Sequence, residues 1–178
     1  MKYFVLMLVT LVSAYSKAQI PEVDVQQIAL ISPNNEAEGV LSGASFAACV
    51  KVFGKPDSIS NHYSEIDADT LKLYRYGKNE LYFLKGKLDN WHLLDSKISV
   101  GQVGGQTFKV GDKLVPVSGK PLNFKGFQIT HHDGVSQNLR YKSASINEVK
   151  NGTVYEDSFL TLFFNSKGTL FSISKLSR

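Results

Sequence analysis

Cysteine is almost missing from this chain of 178 residues, since Cys49 is the only one. A single cysteine excludes an internal disulfide framework, so the core has to hold without covalent staples. The neighbours of Cys49 are Ala47, Ala48 and Val50, which form an apolar context with helical spacing. Free cysteine in such a context behaves as a small hydrophobic residue, and we therefore expect a buried, passive thiol.

The chain also lacks the short motifs that mark common active sites. It contains no Gly-x-Ser-x-Gly, His-Glu-x-x-His or Cys-x-x-Cys sequence, no phosphate-binding loop and no dinucleotide-binding fingerprint. We therefore expect a protein that is not an enzyme, with no catalytic residues and no cofactor. An enzyme with an unrecognised site stays open as an alternative.

Residues that could hold a metal ion are present but poorly spaced. His131, His132 and Asp133 are consecutive, and adjacent residues of a strand point to opposite faces of the sheet. An acidic loop at residues 64–69 has alternating carboxylates, but it lacks the glycine and the distal glutamate of a helix-loop-helix calcium site. We therefore expect no metal site.

Clustered positive charge is missing as well. The 20 Lys and Arg residues face 16 Asp and Glu residues, and the basic residues are scattered without a run of five or six. A nucleic-acid-binding protein usually carries a basic patch or stripe. The charge pattern therefore argues against nucleic acid as the partner.

The first 18 residues have the pattern of a secretory signal peptide. Lys2 precedes an apolar run from Tyr3 to Ala14, and Ser16-Lys17-Ala18 places small residues at the −3 and −1 positions before Gln19. An apolar run of about 12 residues is too short to span a bilayer comfortably. We expect a signal peptide over 1–18, a single secreted or periplasmic domain over 19–178, and no transmembrane segment in the mature chain.

One helix stands out in the mature chain. It is predicted over Ser42 to Phe53, with Ser42 or Ser45 as the cap and Gly54 after its end. Its apolar side chains recur at helical spacing along one stripe: Phe46, Cys49, Val50 and Phe53. A second, shorter helix is predicted over Phe108 to Val117.

The stretch over 70–95 predicts three strands and two tight turns around which the sheet is organised. A three-residue first turn, Gly77-Lys78-Asn79 with Asn79 left-handed, places Tyr74 opposite Tyr82. The second turn is predicted at Lys85-Gly86-Lys87. In this register one face is apolar, with Leu71, Leu73, Leu81 and Phe83 joined by Trp91 and Leu93. The other face is rich in tyrosine, with Lys72, Tyr74, Tyr76 and Tyr82 joined by His92.

The remainder of the chain predicts further strands. They fall at Phe127 to His131 and Leu139 to Ala144, followed by a polar loop at Asn147 to Asp157. A final hairpin is predicted from the strands 159–164 and 170–173. Gly-Lys-Pro occurs at 54–56 and again at 119–121, which suggests two tandem helix-then-meander repeats, about 40–100 and 106–175. The predicted class is α+β, an antiparallel sheet with short helices packed on one face.

A known family combines a helix closed by Gly-Lys-Pro-Asp with a tightly turned hairpin. The stretch from Leu41 to Asp57, followed by Leu81 to Leu88, resembles the β-lactamase-inhibitor-protein fold, shared with the small lipoprotein of the outer-membrane barrel-assembly machinery. The resemblance covers mainly residues 40–95. It implies a small exported α+β module that binds other proteins and catalyses nothing.

These patterns favour an exported protein-binding module, inhibitor-like or an envelope-assembly accessory, whose partner is another protein. Tyrosine offers a large rigid surface with a polar tip, which suits a binding face. The candidate binding residues are Lys72, Tyr74, Tyr76, Tyr82 and His92. A carrier of a small apolar ligand is the alternative, with a cavity lined by Phe46, Phe53 and Trp91.

Export predicts a defined N terminus. Protein recovered from the exported fraction should begin at Gln19, or at Tyr15 if cleavage follows Val12-Ser13-Ala14. Intact-mass measurement reads this directly. A mass that includes Met1 would contradict export.

Overall fold

The computed structural model describes residues 28–65, 67–104, 107–113, 130–136, 139–150 and 153–177. The predicted signal peptide therefore lies outside the described residues. Within them the chain forms twelve strands and one helix, α1, at Phe46–Phe53. The strands are β1 Ala29–Ser32, β2 Asn35–Leu41, β3 Ser58–Ser64, β4 Asp69–Tyr76, β5 Asn79–Leu84, β6 Lys87–Leu93, β7 Ser99–Gly101, β8 Thr107–Phe108, β9 Thr130–Ser136, β10 Leu139–Lys150, β11 Thr153–Phe164 and β12 Leu170–Ser177.

The strands form two sheets. The larger has the order β3-β4-β5-β6-β12-β11-β10-β9 and the smaller the order β2-β1-β7-β8. Every pair of neighbours is antiparallel, which confirms the predicted antiparallel sheet. With one short helix among the described residues, the fold is mainly β.

The second helix was predicted over Phe108 to Val117, but residues 108–113 are not helical, so the prediction is wrong for them. Residues 114–117 lie outside the described residues. Phe108 belongs to β8, pairs with Val100 and is buried in the core. The Gly111 amide then donates to the Leu170 carbonyl at 2.8 Å, so the chain turns along β12. Pairing with neighbouring strands here outweighs the local helical pattern.

The predicted polar loop at Asn147 to Asp157 is also wrong for residues 147–150 and 153–157, and residues 151 and 152 lie outside the described residues. Residues 147–150 end β10 and residues 153–157 begin β11, and Val149 pairs with Val154. Backbone hydrogen bonds extend this ladder whatever the polarity of the side chains, because every residue except proline carries a donor and an acceptor. The strand predicted over Leu139 to Ala144 is present within β10, and the final hairpin is present as the β11–β12 pair. Of the strand predicted over Phe127 to His131, residues 130 and 131 begin β9, and residues 127–129 lie outside the described residues.

The end of the predicted helix and one of its two predicted caps are confirmed in α1. Ser45 is the cap, and its hydroxyl accepts a hydrogen bond from the Ala48 amide at 3.4 Å. Gly54 ends the helix with φ of 79°, a left-handed value that favours glycine. The helix begins at Phe46, later than predicted, because Gly43 and Ala44 form backbone hydrogen bonds to Leu88 instead.

The first hairpin has a different register from the predicted one. Its turn contains two residues, Gly77 and Lys78, so Tyr76 pairs with Asn79 and Tyr74 with Leu81. Gly77 has φ of 65°, as the first central residue of a type II′ turn requires. The second hairpin turns at two residues as well, Lys85 and Gly86, which both have positive φ.

Asn79 belongs to β5 and is fully buried. Its side-chain oxygen accepts hydrogen bonds from the amides of Leu94 and Asp95 at 2.8 and 3.0 Å. Its amide nitrogen donates to the Asp95 carboxylate at 2.7 Å, and that carboxylate also accepts from the Lys78 amide at 2.7 Å. The Asn79–Asp95 network thus fixes the turn to the loop after β6.

The new register places the predicted residues on different faces. Residues directly opposite each other in a sheet share a face, so Tyr74, Tyr76, Leu81 and Phe83 lie together. This face is covered by α1, and the ring of Phe46 stacks on Tyr74 at 4.3 Å between centroids. Leu71 and Leu73 are buried on the opposite face, which we call the outer face. The predicted division into one apolar and one tyrosine-rich face is therefore wrong.

A single apolar cluster joins the helix-covered face, α1 and the smaller sheet. Trp91 and Leu93 belong to it with Leu81 and Phe83, as predicted. Cys49 is fully buried in the same cluster, which confirms its prediction. Burial raises the pKa of its thiol to about 12, so little reactive thiolate forms near neutral pH.

The Asn79–Asp95 network predicts a loss of stability in acid. Burial tends to raise the pKa of Asp95, but hydrogen bonds from the amides of Lys78 and Lys97 and from Asn79 outweigh it and lower the pKa. Its contribution to stability is therefore present above the ordinary aspartate pKa and is lost as pH falls through the lower folded value. As pH falls through this window, the unfolding free energy measured by urea melts should fall less steeply for Asp95→Asn than for the unchanged protein.

The matched control is Glu38→Gln, at an exposed carboxylate on β2. It should leave the acid dependence of the unfolding free energy as in the unchanged protein. An equal slope for Asp95→Asn and the unchanged protein would show that the Asp95 carboxylate does not support the turn.

Candidate functional site

A group of polar side chains lies on the outer face, across four neighbouring strands. It consists of one residue from β4, two from β5 and one each from β6 and β12. We call it the outer-face cluster, and its members are Arg75, Glu80, Tyr82, His92 and Ser172. Arg75 is directly opposite Glu80, and Glu80 is directly opposite His92, so the register itself brings the cluster together.

Glu80 is the centre of the cluster. Its Oε1 accepts hydrogen bonds from Nε and Nη2 of Arg75 at 3.2 and 3.0 Å, and its Oε2 accepts from the Tyr82 hydroxyl at 2.7 Å. The Arg75 side chain remains 44% exposed, whereas that of Glu80 is 21% exposed. The guanidinium is therefore held in place while still facing solvent.

These contacts shift the pKa values of both acids in the cluster. Burial tends to raise the pKa of Glu80, but the hydrogen bonds from Tyr82 and Arg75 and the nearby charges lower it. Burial, and then the hydrogen bond to Glu80, raise the pKa of Tyr82 to about 12. Near neutral pH the site therefore has a carboxylate, a guanidinium and a neutral phenol.

His92 extends the cluster towards β12. Its Nε2 lies 2.8 Å from the Ser172 hydroxyl oxygen, and Ser172 is buried. Glu80 lies opposite His92, but both of its oxygens already accept hydrogen bonds from Arg75 and Tyr82. The arrangement thus supports the imidazole from within the sheet and gives the serine hydroxyl little access to solvent.

An aromatic contact covers the apolar part of the outer face. The rings of His62 on β3 and Tyr82 on β5 lie 5.2 Å apart, edge to face, although strand β4 runs between their strands. The two rings must therefore lean towards each other over β4. Leu71 pairs with His62 and Leu73 with Tyr82, which explains why both leucines are buried on a face without the helix.

The structure separates the five predicted binding residues. Tyr82 and His92 belong to the outer-face cluster. Lys72, Tyr74 and Tyr76 point to the helix-covered face, where Lys72 is exposed and Tyr76 is buried with its hydroxyl donating to the Gly54 carbonyl. The prediction that all five residues share one face is therefore wrong, because three lie on the helix-covered face and two on the outer face.

Arg75, Glu80 and Ser172 are members of the cluster that the sequence analysis missed. Arg75 and Glu80 have opposite charges and flank the first turn symmetrically. A two-residue turn would have placed them directly opposite each other, so this pair was detectable. Ser172 lies 80 residues from His92, and nothing in the local sequence indicates their contact.

A separate open cleft of about 450 Å³ lies on the helix-covered side. Phe53 and Tyr76 contribute aromatic surface, and Lys55, Asp57 and Lys97 contribute charge. Of the three aromatic residues predicted to line a ligand cavity, only Phe53 lines it; Trp91 is fully buried and Phe46 packs on Tyr74.

The described part of the chain holds neither a metal-binding group nor a membrane-spanning helix. There, no three His, Cys, Asp or Glu side chains come together as a metal-binding group. His131, His132 and Asp133 lie in β9, opposite residues 142–144 of β10. Within the same ranges, no helix has the length and apolar character needed to cross a membrane.

The chain matches no protein-family model, no curated protein and no solved structure.

Proposed function

We propose that this chain is an exported protein-binding module without enzymatic activity, secreted or periplasmic, whose binding surface is the outer-face cluster with the His62–Tyr82 contact. The observation that carries the proposal is the exposed but fixed guanidinium of Arg75. It is held by two hydrogen bonds to Glu80, which is in turn held by Tyr82. The partner is another protein rather than nucleic acid.

The composition of the surface supports protein binding. Arginine and tyrosine are enriched among the residues that dominate binding energy at protein interfaces. Side chains that are already fixed lose little conformational entropy on binding, which favours affinity. Tyr82 and Arg75 both meet these conditions, because Glu80 fixes them before any partner arrives.

A non-enzymatic role is supported by the way in which the reactive groups of the cluster are used. Glu80 is engaged on both oxygens, the pKa of Tyr82 is about 12, and the Ser172 hydroxyl is buried against His92. Each group thus supports a neighbour rather than facing an open substrate position.

The α+β description and the tandem repeats remain part of this proposal. Their support is that α1 precedes the meander β3–β6 and that a second antiparallel set, β9–β12, follows later in the chain. The resemblance to the β-lactamase-inhibitor-protein fold is proposed on the same ground. Export is proposed on the sequence of residues 1–18.

A carrier of small molecules is the second candidate, because of the cleft beside Phe53. Its lining combines two aromatic rings with Lys55, Asp57 and Lys97, which suits a small ligand with an apolar body and a polar group. Native mass spectrometry of the protein purified from its source would reveal such a ligand as a stable added mass.

The binding proposal predicts that two residues of one strand behave differently. Arg75 and Lys72 are both exposed cations on β4, but only Arg75 belongs to the outer face. Proteins captured from exported fractions by the purified chain should be lost with Arg75→Ala and with Tyr82→Ala. Lys72→Ala is the matched control and should capture them normally. For an isolated partner, a hot-spot loss of about 2 kcal/mol corresponds to roughly 30-fold weaker binding.

Thermal melts of each variant separate binding from folding, since all three should keep the cooperative transition. A partner that binds Arg75→Ala and Tyr82→Ala as tightly as the unchanged chain would contradict the proposed surface. A partner lost only with Lys72→Ala would move the binding site to the helix-covered face.

A further inference from the structure

Strand β3 forms an end of the larger sheet within the described part of the chain. Its side chains are exposed from Ser58 to Tyr63, with Ser64 half-buried. Ile59 is 56% exposed and Tyr63 is 63% exposed, more than the exposed Leu41, Leu94, Val103 and Phe171. Each lies two residues from Asn61, and Asn61 pairs with Lys72 of the helix-covered face. Ile59 and Tyr63 therefore share the helix-covered side of the sheet.

Edge strands are normally protected against pairing with other strands. The usual devices are charged side chains, proline and β-bulges. The edge strand β2 has two of them, with Glu36 and Glu38 in its sequence and an irregular register against β1. Strand β3 has no Asp, Glu, Lys, Arg or proline, and it pairs with β4 without a register shift.

The sequence of β3 is complementary to itself. In an antiparallel pair of two copies centred on Asn61, Ile59 of each copy lies opposite Tyr63 of the other. Such aliphatic–aromatic cross-strand pairs are among the stabilising ones, and the two-fold pairing repeats this pair on both sides of the axis. The strand itself carries no Asp, Glu, Lys or Arg, and the Lys72 ammonium of β4 donates to the Asn61 side-chain oxygen at 2.7 Å.

We propose that β3 is a self-association edge, on which β3 of a second copy of this chain adds as an antiparallel strand about a two-fold axis at Asn61. The exposed backbone groups of the two strands then satisfy each other, and Ile59 and Tyr63 are withdrawn from water. This inference goes beyond the proposed function and does not depend on it.

Disulfide trapping tests the axis. At a directly opposed antiparallel pair the Cα atoms are roughly 4.5–5.5 Å apart, which suits a disulfide. Purified Asn61→Cys should therefore form a covalent dimer on mild oxidation. Ser58→Cys is the matched control, because in this register the two substituted positions lie about 20 Å apart along the strands. The native Cys49 is buried and should contribute no background.

Sedimentation of the purified protein tests the surface. For the unchanged chain, the fraction of dimer should rise with protein concentration. Ile59→Lys or Tyr63→Lys should raise the dissociation constant of the dimer roughly tenfold or more. Phe171→Lys is the control, at a hydrophobic residue that is 43% exposed on β12. Melting curves confirm that each variant folds.

Three outcomes would overturn the self-association edge. One is a chain that stays monomeric at the highest concentration reached. Another is a dimer that Ile59→Lys and Phe171→Lys weaken equally. The third is disulfide trapping that is as efficient for Ser58→Cys as for Asn61→Cys.

Discussion

The buried amide of Asn79 accepts two backbone hydrogen bonds and donates one to Asp95, and the Asp95 carboxylate holds the turn from the other side. A buried amide left without partners costs about 1–3 kcal/mol, so Asn79 has a strong reason to remain in β5. With Asn79 in the strand, the turn has only Gly77 and Lys78. That turn sets the register, and the register decides which side chains meet the helix and which meet at the outer face.

The strands over 70–95 and helix α1 were predictable because they depend on local periodicity. Alternation over 70–95 identified the strands, and the stripe with its Ser45 cap and Gly54 stop identified α1. The faces were not predictable, because a turn one residue shorter moves every side chain of β5 relative to β4. The decisive contact joins Asn79 to Asp95, 16 residues away, and no local pattern shows it.

The outer-face cluster and the edge strand β3 are consequences of the same register. Arg75 lies opposite Glu80 because Tyr76 pairs with Asn79 at the turn. The same register pairs Tyr82 with Leu73 of β4, and this places the Tyr82 ring on the outer face, where it contacts His62. Tyr74 and Tyr76, the residues that looked most like a binding face, instead anchor Phe46 and Phe53 of α1. A fixed polar surface and an open strand edge thus lie next to each other at one end of the sheet.

Ring-to-ring nuclear Overhauser effects in solution test this register most directly. The observed register predicts contacts between Phe46 and Tyr74, whose centroids are 4.3 Å apart, and between His62 and Tyr82, whose centroids are 5.2 Å apart. It predicts none between Phe46 and Tyr82, because the sheet separates them. A Phe46–Tyr82 contact would show that the turn has three residues and that the two faces have been assigned wrongly.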